Sequence, residues 1–415
     1  MRIAVHDYSG HPFQVQLSRE LAERGHIVRH IYSSSFQTPK GNLEVQPDDP
    51  ATFQIIPVSL GEAFDKQGFV KRRAQEIETG RLVAVAIAAF APDVVLSSNA
   101  PLDTQRKILA ATRRAGARFV FWLQDIYSEA IGRLLPRKLP VIGHLVAPYY
   151  RHLEFSMLRS SDRVVSISAD FVPILVAHGV RRERIAVIEN WAPLDEIVPV
   201  ARDNDWARAN MTAPGLRIVY SGTLGYKHNP QLLLDVAQAI EGHVYVFSEG
   251  AAASELSARA SAAGIRNLSV NGWVSFADLP KMLSGADIFV AMIEEDAGIF
   301  SVPSKVLSYL AIGRPIAAAI PHGNLARKIL VGEQAGMVVG PAEGEKLVEA
   351  IRALVADPSE RAAMGRRARR YAERTFDIRR IADRFETILA TGSTTSITER
   401  DAERLPDPTL AAHGR

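Results

Sequence analysis

The sequence predicts an α/β chain of two doubly wound, Rossmann-like domains that face each other across a cleft. Three observations carry this expectation. The 415 residues exceed the roughly 250 to 300 that one core organises, and they suit two. Short β-branched runs alternate with longer amphipathic stretches along the chain, as in a parallel sheet covered by helices. From Trp191 to Gly215 that alternation breaks into prolines and charges, which reads as a linker.

In the first half the expected strands are Arg2 to His6, Ile27 to Tyr32, Phe53 to Val58, Asp93 to Ser97, Arg118 to Leu123, Arg163 to Ile167 and Ile185 to Ile188. The first helix runs from Phe13 to Arg24, apolar at Val15, Leu17, Leu21 and Ala22, and Gly25 stops it. Asp7, Ser9 and Gly10 lie in the turn before it. The second half repeats the pattern with Leu216 to Tyr220, His243 to Phe247, Leu268 to Val270, Asp287 to Met292, Pro315 to Ala319 and Gly336 to Val339. A long helix over Pro358 to Thr375 and another over Asp377 to Leu389 follow. The expected organisation is a first domain over 1–200, a second over 201–376, a terminal helix over 377–390 returning towards the first domain, and a disordered tail over 391–415 rich in Ser, Thr, Pro and charge.

Composition narrows the function. No cysteine is present, which excludes disulfides, thiolate metal sites and cysteine nucleophiles. Net charge is +3 with the cations spread along the chain, so no stripe points to nucleic acid. There is no basic-then-apolar leader and no apolar run of membrane-spanning length, so a cytoplasmic protein is expected.

Ligands of such sheets bind at the carboxyl ends of the strands, and two segments there suit an anion. In Phe300-Ser-Val-Pro-Ser-Lys-Val-Leu-Ser-Tyr-Leu-Ala-Ile-Gly-Arg-Pro315, Ser301 or Ser304 can cap a helix, Pro303 suits its first turn, and Gly313 ends it. Ser304 and Lys305 then sit among unpaired N–H groups at the positive end of the helix dipole, a receptor for phosphate or simply a capped helix with a solvated lysine. In Tyr220-Ser-Gly-Thr-Leu-Gly-Tyr-Lys-His-Asn-Pro230, Gly222 and Gly225 let the backbone approach a ligand and Lys227 can close over it. The glycine spacing fits neither a P-loop nor a dinucleotide fingerprint, which disfavours an NAD enzyme.

With these residues, the glycine-bearing first turn, Trp122-Leu-Gln-Asp-Ile-Tyr127 and Glu189-Asn-Trp191, the chain resembles glycosyltransferase family 4 of the GT-B fold, in the branch that builds bacterial surface polysaccharides. The resemblance implies an enzyme that moves a sugar from a nucleotide-diphosphate donor to a sugar or lipid-linked acceptor, with retention of anomeric configuration and no metal or cofactor. It places Lys227, Ser304 and Lys305 on the donor diphosphate, Glu295 to Phe300 with Ser301 beside the donor sugar, and Gly222 and Thr223 in the donor loop. Gly10, with Ser9 and His11, would shape the loop beneath the donor. Asp125, at a strand end, would contact the acceptor hydroxyl or reacting sugar, or else cap the next helix. The paired glutamates of the commonest family pattern fall here on Phe300 and Ser308, and the usual basic residue after the first glycine is Thr223. That departure leaves a non-catalytic nucleotide-sugar-binding partner as one alternative, and the shared fold leaves a nucleotide-sugar epimerase, which needs no second sugar acceptor, as another. Asp203-Asn-Asp205 resembles a metal motif but lies in the linker with no strand before it. The segment Ile131 to Arg151 mixes Arg and Lys with Leu, Val, Ile and Tyr, which suits an anionic membrane surface or a partly buried helix with a charged edge.

Overall fold

The computed structural model describes residues 1–391 except 66, 67, 99, 139, 226, 299 and 300, and of 134, 136–138, 140 and 142 the backbone alone. Phe300 and, apart from Thr391, the tail expected over 391–415 therefore lie outside the described residues. Strands β1 (Arg2–Asp7), β2 (Ile27–Ser33), β3 (Phe53–Val58), β4 (Val94–Ser98), β5 (Arg118–Leu123), β6 (Arg163–Ser166) and β7 (Ile185–Val187) form one sheet. Its order is β3-β2-β1-β4-β5-β6-β7 with every neighbour parallel. Strands β8 (Arg217–Ser221), β9 (His243–Phe247), β10 (Leu268–Asn271), β11 (Ile288–Met292), β12 (Ile316–Ala319) and β13 (Gly336–Val339) form the other, in the order β10-β9-β8-β11-β12-β13, again all parallel.

Both faces of each sheet carry helices, so the inner strands are apolar nearly throughout: Ile3, Ala4 and Val5 of β1 and Ile288, Phe289, Val290 and Ala291 of β11 are fully buried. In each sheet the strand order reverses at its middle, between β1 and β4 and between β8 and β11, which opens a crevice above the strand ends. The fold is GT-B.

The linker is less irregular than expected. It contains a helix over Asp205–Asn210, where the Ala207 amide donates to the Asn204 side chain at 3.0 Å and Ala207 and Met211 are buried. Six residues are too few to display a period, and the cap supplies what periodicity did not. Asp203 forms ion pairs with Arg202 and Arg217 at 2.9 and 3.0 Å.

Helix Ile378–Ala390 leaves the second domain and packs on helix Pro12–Glu23 of the first. Phe385 lies 4.8 Å, centroid to centroid, from Trp122, which stacks on Trp191 at 5.9 Å, and Phe13 closes the group at 5.3 Å from Trp191. Burying one such aromatic stabilises by about 1.5 to 3 kcal/mol. Arg24 fixes the crossing outside, donating to Asp383 and Glu386 at 2.6 Å each.

Candidate functional site

A hollow of about 470 Å³ lies between the sheets and is lined from both domains. Its walls come from strand ends: Ser9 and His11 after β1, Gln124, Asp125 and Tyr127 after β5, Asn190 and Trp191 after β7, Ser221 to Thr223 with Lys227 and His228 after β8, and Trp273 and Val274 after β10. The segment Ser301 to Ser308, which starts helix Lys305–Ile312, completes it.

Lys227 is the central cation. Its ammonium donates to Asp125 Oδ2 at 3.1 Å, across the cleft, and to Ser301 Oγ at 2.8 Å within its own domain. Lys305 rises from the helix start, lies 3.7 Å from the centre of the Tyr220 ring and donates to the Tyr220 hydroxyl. Burial pushes its ammonium well below the usual lysine pKa. The Tyr220 hydroxyl in turn donates to the carbonyl of Thr223 at 3.0 Å. Gly222 makes this packing possible: its φ is +114°, and a Cβ there would sit 3.4 Å from Lys305 Cε. Tyr309 pins the end of β8, since its hydroxyl accepts from the Ser221 amide at 2.8 Å and donates to the Ser221 carbonyl at 3.2 Å.

His228 stands beside both lysines. Burial, and then the charges of Lys305 and Lys227, press its pKa to about 3, so the ring is neutral at physiological pH. The Gly225 amide donates to Nδ1 at 3.1 Å, which leaves the proton on Nε2. The second-domain side of the hollow therefore holds two lysine amines and a neutral ring, an arrangement in which a multiply charged anion would favour the charged form of both amines.

On the opposite side the loop after β1 is held by Asp7. This buried carboxylate accepts from the Ser9 amide at 3.1 Å and from His11 Nδ1 at 3.1 Å. Burial alone would raise its pKa, but His11 and these hydrogen bonds outweigh it and the carboxyl is held below its usual range.

Several expected residues converge here: Asp125, Lys227, Lys305, Ser301, Ser304, Gly222 and Thr223 all line the hollow, as does Ser308. Three details depart from expectation. Ser304 precedes helix 305–312 with helical dihedrals and makes no side-chain cap hydrogen bond, so its hydroxyl is exposed. Helix Tyr127–Lys138 is capped from the next helix by Glu154, which accepts from the Tyr127 and Ser128 amides at 3.0 and 2.8 Å. Glu295 is exposed on the short helix Glu295–Gly298, and neither it nor Gly10 lines the hollow. Gly10 instead turns the loop at φ +80° and accepts from the Gly41 amide at 2.8 Å.

Sequence reasoning missed His228, Tyr220, Tyr309, Gln124, Asn190 and the Trp273–Phe276 wall. The position of each just at or after a strand was the available signal for all but Tyr309. Among the described residues no group of three or more His, Asp or Glu could hold a metal ion, and no helix is long and apolar enough to cross a membrane.

The segment 131–151 forms the end of helix 127–138 and the start of helix Pro140–Ser160. Val141 and Leu145 are 77% and 75% exposed, and Tyr149 follows them four residues on, so one face of the helix is apolar and open. Arg133 reaches across to Asp296 of the second domain at 3.6 Å, which sets this helix pair beside the cleft.

Comparison with known proteins agrees with this geometry. The family model described as "Glycosyl transferase 4-like domain" matches residues 11–191, and that described as "Glycosyl transferases group 1" matches residues 215–357. A probable glycosyltransferase, WbjE, of Pseudomonas aeruginosa is 23% identical over 64% of this chain and 67% of its own length. The D-rhamnosyltransferase WbpZ of the same species is 26% identical, over 53% of this chain and only 56% of its own length. Among solved structures, the sucrose-phosphate synthase of Thermosynechococcus elongatus superposes with a TM-score of 0.70 at 15% identity, over 94% of this chain and 98% of that one. Anabaena HepE in complex with UDP-glucose does so with a TM-score of 0.68 at 16% identity, over 94% and 99%.

Proposed function

The chain belongs to the glycosyltransferases of family 4 type with the GT-B fold, and from that premise we propose that it transfers a sugar from a nucleoside-diphosphate sugar held by Lys227, Lys305 and the start of helix 305–312. One observation carries the reading: two lysines from separate segments of the second domain line one hollow at the strand ends, facing Asp125 of the first. HepE, of the same fold, binds UDP-glucose, which supports a nucleotide-sugar donor here.

In the transfer, the bond between the anomeric carbon and the phosphate oxygen breaks and the nucleoside diphosphate leaves with the electron pair. Fixed donors are most effective where that negative charge grows. Lys227, Lys305, the Ser301 and Ser304 hydroxyls and the first amides of helix 305–312 supply it without a metal or cofactor. The acceptor oxygen forms the new bond, and Asp125, which faces Lys227 across the hollow, takes its proton. Ser308 offers a hydroxyl to the donor ribose. The anomeric configuration is retained, which NMR of the first-formed product checks.

Lys305→Ala tests the assignment. Losing one donor to the developing charge costs about a hundredfold or more in turnover, while the melting temperature should stay nearly unchanged because Lys305 desolvation offsets its packing. Normal turnover in this variant removes Lys305 from the mechanism.

The exposed Val141–Leu145–Tyr149 face beside the cleft, with Arg133 and Arg151 near it, supports docking on an anionic membrane surface that presents a lipid-linked acceptor for envelope polysaccharide assembly. Val141→Asp with Leu145→Asp should abolish co-flotation with vesicles containing phosphatidylglycerol and leave turnover on a water-soluble acceptor intact. Undiminished flotation rejects the docking face.

A further inference from the structure

Helix 305–312 carries Lys305 at its start, and a second cavity lies at its other end. This one, of about 420 Å³, is bounded by Pro199 of the linker, the turn Ile312 to Pro315, and one face of helix Pro358–Thr375. The turn and the helix touch closely, since a Cβ on Gly365 would fall 2.4 Å from the Gly313 carbonyl oxygen. Four guanidinium groups line it: Arg314 from the turn and Arg361, Arg366 and Arg369 from the helix.

The single acid in its wall does not balance them. Asp287 is already held by both arms of Arg202 at 2.7 Å and by the Arg217 amide at 2.8 Å. Arg369 pairs with Glu373 at 2.7 Å and caps helix 305–312 through the Ala311 carbonyl, and Arg361 donates to the carbonyls of Leu354 and Val355. Two cations are left over. Arg314 makes one side-chain hydrogen bond, to the Ser284 carbonyl at 3.2 Å, and has no ion-pair partner among the described residues. Arg366 has neither an ion pair nor a side-chain hydrogen bond among them. Arg314 is partly removed from water, which weakens its hold on its proton, and a charged group so placed is stabilised chiefly by an opposite charge.

We propose that this cavity is a binding site, separate from the cleft, for a small phosphorylated molecule, a sugar phosphate or a nucleotide. A dianionic phosphate fits two forked guanidinium groups, which present paired N–H donors to paired oxygens. The volume of this open hollow is close to that of the cleft hollow and admits the body of such a ligand. A bound phosphate would bridge the turn after helix 305–312 to helix 358–375.

The test is calorimetric titration of the full chain with inorganic pyrophosphate, with the cleft first saturated by UDP. The expected result is one remaining site, weakened at least tenfold in Arg366→Glu, a change at an exposed position that leaves the fold intact, and likewise weakened in Arg314→Gln. Glucose 1-phosphate and a nucleoside monophosphate, titrated in the same way, identify the source of the phosphate by which of them binds more tightly. No binding by any of the three, or binding unchanged in both variants, overturns the proposal. If UDP itself does not bind, the proposed function fails independently, and the arginine variants are then compared with pyrophosphate on a Lys305→Ala background.

Discussion

Gly222 and Lys305 lie side by side, a Cβ on the glycine falling 3.4 Å from Lys305 Cε. At φ +114° the glycine occupies backbone space that L side chains rarely adopt, and the lysine side chain fills the room a Cβ would need. Gly222→Ala should therefore cost about 1 kcal/mol or more in stability and raise KM for the donor several-fold by displacing the ammonium. Denaturant melts with steady-state kinetics read both effects, and a variant that keeps wild-type KM argues that Lys305 tolerates displacement. The two lysines were legible in the sequence because each follows a turn signal at a strand end or helix start. Their partners were not. Asp125 lies 102 residues from Lys227, and Tyr220 lies 85 from Lys305, distances no local pattern spans. The carboxylate that caps helix 127–138 was hidden for the same reason, since it is Glu154, on the next helix.

Helix 127–138 owes its start to that buried Glu154, whose pKa burial raises to about 7 despite the two amides and Ser128 it engages. In the unfolded chain the same carboxyl titrates near 4.5. Between those values the native state keeps a proton that the unfolded state has lost, so this group favours folding most on the acid side, and its contribution declines as pH rises through 7. The loss amounts to roughly 3 kcal/mol between pH 4.5 and 8. Glu154→Gln should remove that dependence, visible as a smaller difference between unfolding free energies at pH 5 and pH 8 than in the wild type. An equal difference in both proteins assigns the titration elsewhere. At the scale of elements the strands were the readable part, each falling within a residue of its expected bounds, because burial on both faces leaves a continuous apolar run. The helix at 205–210 was hidden because a single capped turn among prolines has no period to read.

At the scale of the whole molecule, ion pairs span the cleft among the described residues: Asp125 with Lys227, Arg133 with Asp296, and Asp170 with Lys328. The first joins the candidate proton acceptor to the candidate diphosphate ligand, so the donor and Asp125 compete for one ammonium. Asp125→Asn should lower kcat about a hundredfold or more, in the range of general base removal, while leaving KM for the donor equal or lower because Lys227 has lost a rival. Normal kcat with a raised KM would place Asp125 in donor binding alone.

The return of helix 378–390 onto the first domain bears on how the protein is made. A ribosome delivers residues 1–200 long before it delivers Phe385, and domains of a nascent chain ordinarily settle in order of synthesis. Here the Trp122–Trp191 pair lacks its Phe385 neighbour until the last described helix has emerged. A chain halted by a stop codon before residue 378 would release both sheets in full yet leave an aromatic patch open to chaperones and proteases.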